Sequence, residues 1–298
     1  MTHADVLILG GGAAGLMCAS PAGTRGRDVV VLEKSNRVGK KILMSGGGRC
    51  NFTNLYCDPS NFLSHNPHFC KSALAQYTQH DFIELVGQHG IPYHEKALGQ
   101  LFCDRSSKDV VAMLLAECEA TGVRIETECD IASVDKDDDF RVATNIGEFS
   151  STSLVVATGG LSIPKMGASG FGYDVARHFG LNVLDTRAAL VPLTFTGKLH
   201  DMMSRLSGVS TPATIKVPGY SFAEDILFTH RGLSGPAILQ ISSYWNPGAE
   251  IEIDLLPESS VPELLLAARS NQPNSLVRSV LAEYLPRKLV VELQDLYW

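Results

Sequence analysis

The sequence predicts an α/β fold in which a parallel-sheet unit comes first, a β-rich domain is inserted behind it, and a helical segment follows. Three observations carry this. A short branched apolar run, Asp5-Val6-Leu7-Ile8-Leu9, leads straight into Gly10-Gly11-Gly12-Ala13-Ala14-Gly15. From about Val191 short strand-like runs recur with turns between them. Beyond Pro257 the spacing turns helical over Val261 to Arg269 and Ser275 to Leu285. The expected divisions are 1–190, 191–257 and 258–298.

The first element reads as a buried parallel strand because it is continuously apolar and branched. The G-x-G-x-x-G after it divides the work by position. Gly10 permits the tight turn, Gly12 lets backbone approach a pyrophosphate, and Gly15 lets the following helix pack closely on the sheet. That helix offers unpaired N–H groups and a partial positive charge at its start. Pro21 lies about two turns in, which predicts a distorted or shortened helix. A second buried strand, Val29-Val30-Val31-Leu32, ends at Glu33, 18 residues after Gly15. There a carboxylate accepts the ribose hydroxyls. Strand, glycines, helix, strand and acid in this order give a Rossmann-like dinucleotide-binding domain. The acid favours FAD or NAD over a phosphorylated ribose.

Composition sets bounds. The chain is 45% hydrophobic and 19% charged, as expected of a soluble globular protein, and no segment is long enough to span a bilayer. Seven cysteines without a C-x-x-C pair fit a reduced cytoplasm and argue against a dithiol reductase or a zinc site. A net charge of −7 gives no global field for nucleic acid, which leaves only a local basic patch for that role. Nothing in the sequence sets an oligomeric state.

After Glu33 the chain passes Lys34 and Gly39-Lys40-Lys41 to reach Ser45-Gly46-Gly47-Gly48-Arg49-Cys50-Asn51-Phe52-Thr53-Asn54. The glycines expose backbone N–H groups to an anionic or ring-shaped ligand, and Arg49, Asn51 and Asn54 add directed hydrogen bonds. The alternative is a flexible surface turn with its Asn residues as caps. Residues 61–128 read as an α/β continuation, with helices over Lys71 to Gln88 and Ser107 to Thr121 and a strand over Val123 to Thr127. Ile131 to Val134 and Phe140 to Ala143 form a hairpin with an acidic tip. Leu154-Val155-Val156-Ala157 is a further buried strand whose Thr158-Gly159-Gly160 belongs on the ligand side of the sheet. Gly167 to Gly172 reads as the entry to a helix over Tyr173 to Phe179.

These motifs, with Ala157-Thr158-Gly159-Gly160-Leu161-Ser162-Ile163-Pro164 and Phe228-Thr229-His230-Arg231-Gly232-Leu233-Ser234-Gly235-Pro236-Ala237, resemble the BaiN-like, aminoacetone-oxidase-like bacterial flavoproteins of the YhiN family. The likeness runs from about Asp5 to about Leu293. It implies a Rossmann-like FAD-binding domain and an FAD-dependent oxidoreductase, with NAD(P)H as a candidate reductant. The expected cofactor contacts are Gly10, Gly12, Ala13, Ala14, Gly15, Glu33, Lys34, Lys41, Ser45, Gly46, Gly47, Arg49, Cys50, Asn51, Asn54, Ile131, Ala157, Thr158, Gly159 and Gly160. No metal site is expected.

Family members continue past this point to a C-terminal flavin-contacting segment ending in Gly-Tyr-Asn, which has no match before Trp298. The resemblance therefore implies a C-terminally truncated chain. It admits oxidation of an amine, reduction of a steroid-type enone, or reduction of uridine to dihydrouridine in large-subunit ribosomal RNA. Likeness to the enterobacterial-type branch favours the RNA. A flavin- or NAD-binding module without turnover is the rival from another class. Reduction of a double bond also needs a proton. Cys50, inside the glycine-rich loop, and Cys103, where many relatives carry proline, are the candidate donors. The alternative is that both are small buried apolar residues.

Overall fold

A computed structural model describes residues 1–297; Trp298, the end of the expected helical stretch, lies outside the described residues. The chain divides into two compact units, Met1–Leu184 and Asp185–Trp298.

The first unit is built on a six-stranded sheet. Its strands are β1 (Thr2–Leu9), β2 (Val29–Leu32), β6 (Arg124–Glu126), β7 (Ile131–Lys136), β8 (Phe140–Thr144) and β9 (Gly147–Val156), in the order β6-β2-β1-β9-β8-β7. The first four in that order run parallel, and β8 and β7 complete an antiparallel meander. The branched apolar runs are explained by burial on both faces. Ile8, Val29 and Val31 pack with Leu16 and Ala19 of helix α1 (Ala13–Thr24) and with Val110, Met113 and Leu114 of the helix Ser107–Ala120. Leu7, Leu9, Val30 and Leu32 face the other way, onto Val134, Val142, Phe149 and Val175.

Register positions the site. Leu9 pairs with Leu32 on one side and Val156 on the other, so β1, β2 and β9 end level. Gly10, Glu33 and Ala157 thus leave the sheet along one edge, at the carboxyl ends of parallel strands. The chain order reverses there, between β1 and β9.

Three local expectations differ from what is observed. Helix α1 runs through Pro21 and closes at Thr24, so the proline does not end it; its missing donor falls in the last turn. The single helix expected over 71–88 is two, Lys71–Gln76 and Gln79–Gln88. Thr78 separates them by capping the second: its hydroxyl accepts from the Asp81 N–H while the Asp81 carboxylate accepts from the Thr78 N–H. Residues 61–128 also contribute to a separate three-stranded antiparallel sheet of β3 (Asn51–Asn54), β5 (Gln100–Cys103) and β4 (Tyr93–Glu95). These strands are only 3–4 residues long and carry little alternation.

In the second unit an antiparallel sheet runs in the order β10 (Leu193–Thr194), β13 (Gly232–Ser234), β12 (Tyr220–Thr229), β11 (Ser210–Val217), β14 (Glu252–Asp254). Thr211, Ala213, Ile215 and Val217 alternate inward along β11. They meet a core containing Met202 and Met203 of helix Gly197–Arg205, Ile238 and Ile241 of helix Pro236–Ser242, and Leu289 of helix Arg287–Tyr297. The helical spacing over Ser275 to Leu285 yields only Val277–Leu281. Packing accounts for the two glycines of the His230–Pro236 motif. A Cβ on Gly232 would lie 2.1 Å from the Leu193 carbonyl oxygen, and one on Gly235 2.7 Å from that of Asp225.

Candidate cofactor cleft and adjoining cavity

The three glycines of the first motif meet three different surroundings. Gly10 has φ +109°, and a Cβ there would come within 2.5 Å of the Ala157 carbonyl oxygen. Its bare backbone lets the β1 and β9 turns touch. A Cβ on Gly15 would sit 1.9 Å from the Gly10 carbonyl oxygen, so this glycine seats α1 against the turn. Gly12, at the N-cap of α1 with φ −84°, has no atom within 4 Å of where its Cβ would be. Packing therefore requires Gly10 and Gly15, whereas the space beside Gly12 is open, where a ligand needs it.

That space belongs to a cleft of about 740 Å³, within the roughly 300–1,000 Å³ usual for ligand sites. Gly10, Gly12, Ala13, Ala14, Glu33, Lys34, Lys41, Ile131, Ala157, Thr158 and Gly159 line it. Glu33 is fixed from both sides: one carboxylate oxygen accepts from the Gly11 N–H (2.8 Å) and the other from the Ser35 N–H (2.7 Å). A carboxylate offers about four lone-pair positions, so two remain for ribose hydroxyls. The Lys41 ammonium donates to the Gly160 carbonyl oxygen at 3.4 Å, tying the β9 turn to the opposite wall.

A second cavity of about 470 Å³ adjoins the first, sharing Ala13, Ala14, Lys41 and Ile42 with it. Ser45, Cys50 and Asn51 line it from the glycine-rich loop, together with Phe52, Phe82, Met17, Val110 and Leu114. Gly46, Gly47, Gly48 and Cys50 all have positive φ. At Cys50 (φ +52°) this is a strained conformation for a residue with a side chain, costing about 1–3 kcal/mol. Burial pushes the Cys50 thiol up, with the Ser45 hydroxyl pulling the other way; the group stays protonated near neutral pH.

Several expected residues lie elsewhere. Gly15, Gly46, Gly47, Arg49, Asn54, Gly160 and Cys103 line neither cavity. The Asn54 amide closes a turn, donating to the Leu98 carbonyl oxygen (2.9 Å) and accepting from the Tyr56 N–H (2.8 Å). With its amide turned to satisfy both ends, Asn51 donates to the Thr53 and Leu101 carbonyl oxygens. Cys103 is fully buried in the apolar core behind Cys50. Desolvation, reinforced by nearby Cys50, Asp109 and Asp104, pushes its thiol up to about 11. Among the described residues no cluster of His, Cys, Asp or Glu is placed to hold a metal ion.

Other residues line the two cavities without a motif that marks them for it. Gly11, Ser35, Gly39 and Lys40 border the cleft, as do Met166, Gly167, Ala168, Ser169 and Phe171. All of the latter group but Met166 belong to the Gly167–Gly172 loop, whose glycines also mark a helix entry. Met17, Phe82, Val110 and Leu114 come from three helices and carry no local motif.

Comparison with known proteins bears on this site. The HI0933-like protein Rossmann domain matches residues 4–242. The chain is 51% identical over 298 residues to a ribosomal RNA dihydrouridine synthase of Escherichia coli, covering 99% of this chain and 74% of that protein. It is 47% identical to a protein of the same description from Haemophilus influenzae, covering 97% and 73%. It is also 29% identical to a 3-dehydro-bile acid delta(4,6)-reductase of Clostridium scindens, covering 97% and 74%. The chain belongs to the HI0933-like family and is a BaiN/YhiN-like FAD-dependent oxidoreductase.

Proposed function

We propose that this oxidoreductase reduces uridine to dihydrouridine in ribosomal RNA, drawing electrons from NAD(P)H. The observation that carries the reading is the 51% identity, across 99% of the chain, to a ribosomal RNA dihydrouridine synthase. The 29% identity to a bile-acid reductase keeps reduction of a small-molecule enone as the second reading. In either case an activated double bond is the acceptor.

The residues fit FAD. Open space at Gly12 and the amides opening α1 would receive the pyrophosphate, and Glu33 the adenosine ribose. Lys34 and Ile131 would border the adenine side of the cleft, and Ala157, Thr158 and Gly159 a further wall, held to Lys41 through the Gly160 carbonyl oxygen. Ser45, Cys50 and Asn51 would border the flavin ring, with Gly46, Gly47 and Arg49 shaping the loop that presents them. Reduced FAD held there would supply the hydride. The chain then has to deliver one proton, and Cys50 is the candidate because it lines the second cavity as a protonated thiol. Cys103 is its buried neighbour and sits out of reach of either cavity.

The division into an FAD-binding domain (1–190), an inserted β domain (191–257) and a helical segment (258–298) belongs to the same reading. So does a cytoplasmic site of action; no helix among the described residues is long and apolar enough to cross a membrane. The test offers FAD-loaded chain with NADPH a ribosomal RNA transcript and a steroid enone in parallel. Dihydrouridine without enone turnover is expected, and enone turnover without dihydrouridine would move the assignment to the second reading.

A further inference from the structure

Charge is unevenly placed along this acidic chain. Residues 34–80 hold six Lys and Arg against a single acid, Asp58, and include three of the histidines, whereas the whole chain carries −7. Among the described residues Arg37, Lys40, Arg49 and Lys71 have no carboxylate within 4 Å, so their charge is available to a partner. Asp58 accepts from the Ser60 N–H and stays ionised, with Lys71 adding a weaker attraction beyond 4 Å.

The same stretch exposes aromatic rings. Residues 61–69 are exposed without interruption, in a loop whose ends are drawn together where the Cys70 thiol donates to the Pro59 carbonyl oxygen. Phe69 is 78% exposed and Tyr56 70%. Tyr56 leans on Gly99, where a Cβ would come within 2.6 Å of the ring. One face of the ring is thus supported by backbone while most of its surface stays open. Between the rings stand His65 and His68, whose rings can hydrogen-bond to base edges, while Asn61, Ser64 and Asn66 accept from backbone N–H groups and shape the loop. The segment leaves β3 directly, and β3 begins with Asn51 and Phe52 of the second cavity. The Gln79 amide holds its base by donating to the Leu55 carbonyl oxygen at 3.0 Å.

We infer that residues 55–77 form a docking surface for unpaired RNA, whose bases stack on Tyr56 and Phe69 and whose phosphate meets Lys71. This rests on the reading of RNA as substrate and names where it is held. Planar rings spaced by hydrogen-bonding side chains suit splayed bases; a membrane anchor calls instead for a continuous apolar face. Stacking platforms with a basic track are the recurring means of binding single strands.

The test measures fluorescence anisotropy of an oligouridylate of about 20 nucleotides against the full chain, with phosphatidylserine vesicles as a parallel probe. Tyr56→Ala and Phe69→Ala should each raise the Kd about 5- to 150-fold, with unchanged thermal unfolding and FAD content. Tyr56→Phe should stay within about twofold, since the ring remains. Lys71→Gln should flatten the dependence of log K on log salt by about 0.7. If wild type binds the RNA and the ring variants bind equally well, the surface is overturned while RNA as substrate stands. If wild type binds no RNA, both fall. Ring-dependent binding to the vesicles in place of RNA would also overturn the inference.

Discussion

Substituting the first motif's glycines one at a time separates cofactor binding from folding. At Gly12 a methyl group meets no atom within 4 Å and φ is −84°, so Gly12→Ala leaves the fold intact. Loss of a favourable N-cap glycine and gain from a less flexible unfolded chain oppose each other, leaving a net change within about 1 kcal/mol. The methyl group does, however, occupy the place offered to the pyrophosphate. Each backbone hydrogen bond to a charged phosphate that it displaces is worth about 1.5–3 kcal/mol, or about 10- to 150-fold in FAD Kd. Gly12→Val should abolish binding. Gly15→Ala behaves in the opposite way. Its methyl group would stand 1.9 Å from the Gly10 carbonyl oxygen. Overpacking of this kind costs about 1–3 kcal/mol or more, against the roughly 1 kcal/mol that alanine gains over glycine within a helix. Thermal unfolding of the FAD-free chain and FAD titration by fluorescence quenching read the two quantities independently. Unchanged FAD affinity in Gly12→Ala, or equal destabilisation in both alanine variants, would refute the division of roles.

Further outcomes follow from the same geometry. Glu33→Ala should weaken FAD binding by about 1.5–3 kcal/mol by titration, with Glu33→Gln intermediate because one oxygen can still accept. Asn54→Ala should destabilise by about 1–3 kcal/mol in denaturant melts without changing flavin affinity, since both amide groups serve a turn; Arg49→Ala and Asn51→Ala should alter the bound-flavin spectrum. With ribosomal RNA as substrate, Cys50→Ala should keep FAD and lose about 10²–10⁴ in dihydrouridine formation, whereas Cys103→Ala should retain the chemistry. In the second unit, Arg205 donates twice to Glu292 at 2.7 Å, and these bonds hold the Glu292 carboxyl below its ordinary 4.5. A lowered folded-state value stabilises above the unfolded value. The advantage of wild type over Glu292→Gln should therefore be full above pH 4.5 and fade as pH falls through the lowered value, as read by thermal melts at stepped pH.

What the sequence made legible is what local chemistry dictates. β1, α1, β2 and Glu33 are contiguous, each with its own signature, and they reappear in place and in register. Leu154 to Ala157 was readable as a strand because it is continuously apolar, but the burial expected of it is not observed: Leu154, Val155 and Ala157 are half-buried and Val156 is exposed. The Thr78 cap was equally local, yet the apolar spacing across it masked a helix break. The second cavity was only half legible. Ser45, Cys50 and Asn51 announced themselves through a glycine-rich loop, but its far wall is assembled by tertiary packing of Met17, Phe82, Val110 and Leu114. For the same reason motif membership did not tell Asn51, which borders the cavity, from Asn54, which closes a turn against Leu98, 44 residues along the chain.

A crystal structure of the chain soaked with FAD decides whether the cleft and the cavity beside it form one cofactor site. The pyrophosphate is predicted against Gly12 and the start of α1, the adenosine ribose on the Glu33 carboxylate, and the ring system toward Ser45, Cys50 and Asn51. FAD bound with its pyrophosphate away from Gly12, or with its ring system outside the cavity that Cys50 lines, would contradict the assignment.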